Sequence, residues 1–220
     1  MGKNKETLTF DKIKAAHRER REEIRIRLDE FRAVGTEQND DRLWEEMVFC
    51  FFTGGCSATM GLRSLEKVRP LLKTGTQKQL ARALKGVHRY PNERARYVFE
   101  SRNFLHSDCG LRLGKRLNGF GCPIERRDWL AREKGIKGLG YKEASHFLRN
   151  VGYRGYAILD KHVLRCLAEL RIIDEPKPPN SRDRYLTVEG KLRDLTNAVG
   201  IDFDELDLVL WSIKTGMILK

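Results

Sequence analysis

The chain has 220 residues, with 43 lysines and arginines against 31 aspartates and glutamates, which gives a formal net charge of +12. This length can bury a hydrophobic core, and the basic balance favours a polyanionic partner. The five cysteines are scattered without a Cys-x-x-Cys pair, which argues against a disulfide framework and a structural zinc site. The N-terminal segment is charged and the longest apolar run is too short to cross a bilayer, so we expect a soluble intracellular protein.

The first half of the chain is predicted to be helical. A long amphipathic helix is expected from Phe10 to Phe31, because apolar residues recur there at helical spacing among many charged ones. An apolar helix follows over Arg42 to Phe52 and is broken at the turn Thr53-Gly54-Gly55. Three further helices are predicted over Ser57 to Val68, Thr76 to Leu84 and Asn92 to His106.

The second half continues the helical pattern, and long runs of alternating strand pattern are absent from the sequence. The predicted helices are Glu125 to Glu133, Tyr141 to Asn150, one that starts after Asp160, Arg184 to Val199, and Asp204 to Lys214. The sequence therefore predicts an all-α protein of two helical lobes with a cleft. The lobes are expected at about residues 41–120 and 121–175, with residues 1–40 and 176–220 packing on them.

The turn before the Tyr141 to Asn150 helix has the pattern of a helix-hairpin-helix motif. Gly138 and Gly140 allow a close backbone approach, and Leu139 can plug between the two helices. Such a turn grips a DNA phosphate through main-chain N–H groups without reading bases. The alternative is an ordinary corner between two helices, because a Gly-x-Gly pattern alone is weak evidence for a DNA-binding hairpin.

The residues around this turn resemble a known family. The segments KGLGYKEASHFLRN and AILDKHVLRCL resemble the helix-hairpin-helix glycosylase superfamily, and the closing WSIKTGMILK is similar to archaeal-type 8-oxoguanine DNA glycosylases. The similarity extends from about Asp41 to Lys220. It implies a bifunctional DNA repair enzyme that flips out and excises 8-oxoguanine and then nicks the strand by β-elimination.

Two residues eighteen positions apart match the catalytic pair of this family. Lys142 matches the lysine that forms a Schiff base with the sugar, and Asp160 matches the essential aspartate. A nucleophilic lysine must lose its proton, for which we expect desolvation or crowding by other cations. The structural alternatives are an exposed helix lysine for Lys142 and a helix N-cap for Asp160.

The resemblance also implies a pocket for the extruded base. Trp211 matches the tryptophan that stacks on the base, although plain core packing explains its apolar helical stripe equally well. The terminal carboxylate of Lys220 matches the group that reaches the Watson–Crick edge of the purine, and the alternative for a chain end is fraying. Phe99 is a candidate for a second stacking partner of the base.

One segment departs from the family pattern. FCFFTGGCSA carries Gly54 and Gly55 where relatives often place a glutamine or asparagine that fills the gap left by the flipped nucleotide. The residue that fills this gap and the preference for the opposite base are therefore open. No zinc site or nucleotide-binding loop is visible in the sequence, so we expect no metal and no required cofactor, while the resemblance suggests a monovalent cation at the hairpin carbonyls. We expect a monomer acting on double-stranded DNA that contains 8-oxoguanine, cytoplasmic and nucleoid-associated, without a membrane partner.

Two other functions stay open. One is a glycosylase of the same superfamily for another lesion, an oxidised pyrimidine or a mispaired adenine. Many of those carry four clustered cysteines for an iron–sulfur cluster near the C-terminus, whereas this chain has only Cys166 beyond Cys122. The other is a noncatalytic DNA-binding module that uses the hairpin only to hold a duplex.

Overall fold

A computed structural model describes residues 7–218 of the chain, and it is all-α as predicted. No β-strand occurs within those residues. The eleven α-helices of the described part are α1 (Phe10–Thr36), α2 (Asp40–Thr53), α3 (Ala58–Val68), α4 (Gln77–Leu84), α5 (Pro91–Cys109), α6 (Leu113–Asn118), α7 (Pro123–Arg132), α8 (Tyr141–Asn150), α9 (Lys161–Glu169), α10 (Arg182–Val199) and α11 (Phe203–Thr215).

The predicted helices are confirmed, with two differences. Helix α1 continues past Phe31 to Thr36, because its apolar stripe extends to Val34, which is buried. Helix α6 was not predicted. It has only six residues, with Gly114 inside it, so the sequence offers too short a window for a helical period.

Side-chain caps explain where several helices begin. Ser57 accepts a hydrogen bond from the Met60 N–H at the start of α3. Thr76 and Gln79 form a reciprocal capping box at the start of α4. These are the positions at which the sequence predicts the helices to start, so local chemistry sets both boundaries.

The described chain divides into two compact units. Residues Phe31–Tyr153 form the middle unit, and the described residues before and after that range form the terminal unit. This division differs from the predicted lobes at about 41–120 and 121–175. The hairpin helices α7 and α8 belong with the preceding helices because α8 packs on α2, a partnership that periodicity alone does not reveal.

The core of the middle unit is built around α2. Its side chains from Met47 to Phe52 are completely buried, so the C-terminal half of this helix is apolar on all sides. Helices α3, α5, α6 and α8 pack against it. Helix α8, which carries Lys142, is therefore fixed to the most buried element of this unit.

The terminal unit joins α1, as far as Glu30, to the last three helices. His17 on α1 contacts the Glu205 carboxylate of α11 at 2.6 Å. Arg154 pairs with Asp202 and Asp204 at 2.8 and 2.7 Å. Within residues 7–218, no helix is both long enough and apolar enough to cross a membrane.

Candidate active site and DNA-contact hairpin

Helices α7 and α8 form the predicted hairpin, and polar side chains brace them against each other. The Tyr141 hydroxyl donates to the Asp128 carboxylate at 3.0 Å. Arg127, which is almost completely buried, donates to the Ser145 hydroxyl at 3.3 Å. Leu139, in the turn, is 5% exposed and therefore packs inward as expected. These contacts hold the turn in one shape before any ligand arrives.

The turn is also anchored to α5. The Lys137 N–H donates to the Ser101 hydroxyl at 2.8 Å. Gly138 has φ +75°, and a Cβ at this position would lie 2.3 Å from Cδ2 of Tyr97. Both the backbone conformation and the aromatic ring beneath it therefore require glycine at Gly138.

Gly138→Ala is expected to destabilise the protein by about 2 to 4 kcal/mol, because it adds left-handed backbone strain to a clash with the Tyr97 ring. Urea denaturation measures this loss. Gly121→Ala is the matched control, since a Cβ at Gly121 meets no atom within 4 Å. Equal unfolding free energies for the two variants would contradict the packing of the turn on α5.

Helix α8 begins at the hairpin with its first-turn N–H groups lacking a side-chain cap. Its N-cap residue is Gly140, which offers no side-chain acceptor. Lys142 is the second residue of the helix, and its side chain is 27% exposed. The amine is thus at the same end of α8 as the hairpin turn, where the helix dipole is positive.

The Lys142 amine rests in an ion pair. Its Nζ lies 2.8 Å from Oε1 of Glu143, whose side chain is 17% exposed. The sequence predicted desolvation or neighbouring cations. Partial burial is found, but the nearest charged partner is a carboxylate, because two adjacent side chains of the first turn lean toward each other. The amine is neither fully buried nor free in solvent.

Asp160 lies in the terminal unit and is the N-cap of α9. Its Oδ1 accepts hydrogen bonds from the N–H groups of His162 and Val163 at 2.8 and 2.9 Å. The segment before Asp160 is held in place, because the Tyr185 hydroxyl donates a hydrogen bond to the Ala157 carbonyl at 2.7 Å. The predicted cap is confirmed, and the carboxylate is rigidly placed.

Trp211 lies on α11 of the same unit and is only partly buried. The ring of His162 meets its indole edge to face, with centroids 6.2 Å apart and an interplanar angle of 80°. Burial lowers the pKa of His162, and the Asp160 carboxylate opposes this effect. His162 thus donates its backbone N–H to Asp160 and packs its imidazole against Trp211.

The remaining predicted residues have separate surroundings. Phe99 lies on α5 of the middle unit, with the Arg102 guanidinium 5.3 Å from its ring centre. Lys220 lies outside the described residues.

All five cysteines have free thiols, and burial raises the pKa of Cys166 to about 12. In the described part of the chain, no group of three or more His, Cys, Asp or Glu side chains could hold a metal ion.

These features define a helical protein with a rigid helix-hairpin-helix motif of the DNA-binding type and a lysine in the first turn of the helix that follows the hairpin. The family described as 8-oxoguanine DNA glycosylase matches residues 24–201, and the chain belongs to this family.

Named relatives agree with this assignment. An 8-oxoguanine DNA glycosylase/AP lyase of Korarchaeum cryptofilum is 40% identical over 201 residues, which covers 91% of both chains. The crystal structure of the Methanocaldococcus jannaschii 8-oxoguanine glycosylase/lyase bound to a DNA 15-mer with 8-oxoguanine matches with TM-score 0.87 and 35% identity. That match covers 96% of this chain and 99% of the other. The 8-oxoguanine DNA glycosylase of Thermotoga maritima matches with TM-score 0.86 and 35% identity, covering 96% of this chain and 98% of that one.

Proposed function

We propose that this protein is a bifunctional DNA glycosylase and AP lyase that excises 8-oxoguanine and then cuts the DNA strand at the resulting site. The observation that carries the proposal is the position of Lys142, which is the second residue of α8 and directly follows the hairpin turn. The chain that carries it belongs to the 8-oxoguanine DNA glycosylase family. A hairpin that grips the backbone brings the sugar of an extruded nucleotide to a nearby amine.

The reaction proceeds through covalent catalysis by Lys142. The neutral amine attacks C1′ of the deoxyribose, and the electron pair of the glycosidic bond leaves with the base. The sugar ring then opens to an imine between C1′ and the lysine nitrogen. The imine acidifies the C2′ proton, and loss of this proton expels the 3′ phosphate, so base removal and strand nicking share one intermediate.

Asp160 acts on the sugar while it also caps α9. A carboxylate fixed by two backbone N–H groups stabilises the positive charge that develops on the sugar as the base departs. Because the Ala157 to Asp160 segment is held by side chains of the terminal unit, the charge needs little reorganisation during the reaction.

The base pocket is proposed to use Trp211, Phe99 and the terminal carboxylate of Lys220. Trp211 retains exposed surface on which a purine can stack, and His162 fixes the plane of its ring. A carboxylate acceptor suits the N1–H and N2 amino donors of a guanine-type base. Selection against guanine requires an acceptor facing N7–H of 8-oxoguanine, which a backbone carbonyl can supply.

The hairpin residues Gly138, Leu139 and Gly140 are proposed to bind a DNA phosphate through their main-chain N–H groups. A monovalent cation at the hairpin carbonyls is proposed from the family resemblance; the Lys134 carbonyl itself accepts a hydrogen bond from the Lys137 ammonium at 2.5 Å. The chemistry of Lys142 requires no cofactor. We further propose that the enzyme is monomeric and cytoplasmic, acts on nucleoid DNA and has no membrane partner. Its net charge of +12 attracts it to the DNA.

Borohydride trapping tests the lesion assigned to this enzyme. A duplex with 8-oxoguanine is expected to give a stable covalent complex, and duplexes with thymine glycol or an adenine mispair are expected to give far less. Preferential trapping on either of the other duplexes would favour a glycosylase for that lesion. Binding without trapping on all three would favour a noncatalytic DNA-binding module.

Trp211→Ala is expected to reduce selection of the oxidised base more than binding of an abasic product, because only the intact nucleotide presents a ring for stacking. The loss expected for one stacked base is about 1 to 3 kcal/mol, or roughly tenfold to a hundredfold in affinity. Competition binding with lesion and abasic duplexes measures the difference. Equal losses on both duplexes would show that the substitution damages the core instead.

A further inference from the structure

The contact between Lys142 and Glu143 is unusual for neighbouring helical residues. Successive side chains on an α-helix point about 100° apart and do not normally face each other. Here Nζ of Lys142 and Oε1 of Glu143 are 2.8 Å apart. Both side chains must therefore lean to the same side of the first turn of α8.

Two glycines lie beside the Glu143 carboxylate. A Cβ at Gly140 would lie 3.4 Å from its Oε2, and a Cβ at Gly54 would lie 3.6 Å from its Oε1. Neither residue presents a side chain there, so the carboxylate occupies a recess between the hairpin and the end of α2. Gly54, where the chain departs from the family pattern, therefore lies next to the ion-pair partner of Lys142.

The recess also contains a buried cation. Nη2 of Arg94 lies 3.4 Å from the same Cβ position at Gly54, and this guanidinium donates to the Gly54 carbonyl. Arg94 is 9% exposed, and it stacks on Tyr97 at 5.0 Å from the ring centre. The Arg94 guanidinium on α5 and the Lys142 ammonium therefore both lie close to this carboxylate.

We infer that Glu143 is a catalytic residue that accepts the proton of Lys142 when the amine becomes a nucleophile. The step transfers one proton from the Lys142 ammonium to the Glu143 carboxylate and yields a neutral amine and a carboxylic acid. No other bond forms or breaks, and no co-reactant is needed. The inference rests on the proposed function, because it requires the Lys142 amine to attack.

A purely structural role for Glu143 has a different consequence. An acidic residue in the first turn stabilises a helix through the dipole, so its loss would lower stability without a specific effect on the lysine. Glu143→Gln separates the two roles, because the amide keeps the shape and an oxygen acceptor for the ammonium but is not a base. Glu143→Asp keeps a base on a shorter side chain.

The experiment measures single-turnover borohydride trapping on an 8-oxoguanine duplex. Glu143→Gln is expected to slow trapping about 10²-fold or more, with Glu143→Asp in between, because a positioned acid or base contributes rate factors of this size. The matched control is Glu45→Gln, which changes a half-buried glutamate paired with Arg69 at 3.4 Å and should trap at the wild-type rate. Affinity for lesion DNA should stay within threefold for all variants.

Chemical rescue of the trapping rate distinguishes a catalytic role of Glu143 from a structural one, because an added acid or base cannot replace a structural contact. In Glu143→Ala the recess flanked by Gly54 and Gly140 can admit formate, which should restore part of the trapping rate. Lys142→Gln should not respond to formate. Trapping by Glu143→Gln at the wild-type rate, or a slow Glu143→Ala that formate leaves unchanged, would overturn the inference while the proposed function stands. Failure of the wild-type protein to trap would instead overturn the proposed function.

Discussion

Lys142→Gln is expected to abolish both borohydride trapping and strand nicking, with losses of more than about 10³-fold relative to wild type. A glutamine amide cannot attack C1′ to form an imine, so neither base expulsion nor β-elimination has its covalent intermediate. Lesion-DNA affinity should change by only a few fold, because the hairpin turn that we propose to bind phosphate precedes Lys142 and is held by α5 and α7. Gel-based nicking and trapping assays, combined with binding to an uncut duplex, measure these quantities.

Lys134→Gln is the matched control for that substitution. Lys134 is an exposed lysine of the same hairpin, so the change removes an equal charge without touching the amine of Lys142. It should nick and trap like wild type apart from a weaker dependence of binding on salt. If Lys142→Gln nicked DNA at the wild-type rate, Lys142 would not be the nucleophile.

Asp160→Asn is expected to slow base excision by about 10² to 10³-fold in single-turnover kinetics, the range for loss of one preorganised electrostatic group. Asparagine is as good an N-cap as aspartate, so the bonds to the His162 and Val163 N–H groups can persist. The variant should therefore keep nearly all of its stability and lose only the negative charge.

Asp160→Ala separates capping from catalysis. It loses the cap as well as the charge, so it should unfold more easily by about 1 kcal/mol while excising no faster than Asp160→Asn. Thermal denaturation and single-turnover excision on the same preparations give the comparison. An Asp160→Asn enzyme with the wild-type excision rate would leave Asp160 as a helix cap only.

The sequence predicts those parts of the site that depend on local chemistry. Asp160 before an apolar helical stripe indicates an N-cap, and the structure confirms it. The glycines of the hairpin indicate a special turn, and Gly138 has the positive φ that only such a residue adopts easily. Helix boundaries with capping side chains were predicted within a few residues for the same reason.

The parts that depend on distant residues could not be predicted. Nothing near Gly138 in the sequence indicates that Tyr97 lies beneath it, because that contact joins two helices far apart in the chain. The pairing of Lys142 with Glu143 contradicts the usual helical spacing, and Gly54, which lies beside the Glu143 carboxylate, is far from it in the sequence. The assignment of α7 and α8 to the middle unit likewise follows from packing on α2.

The most direct test of the central claim is to identify the residue that becomes linked to DNA. Wild-type protein is reduced with borohydride on an 8-oxoguanine duplex, and the trapped complex is digested and mapped by mass spectrometry. We expect a single DNA-linked peptide with the sugar remnant on Lys142. A remnant on another lysine, or efficient excision of the base without any linked peptide, would contradict it.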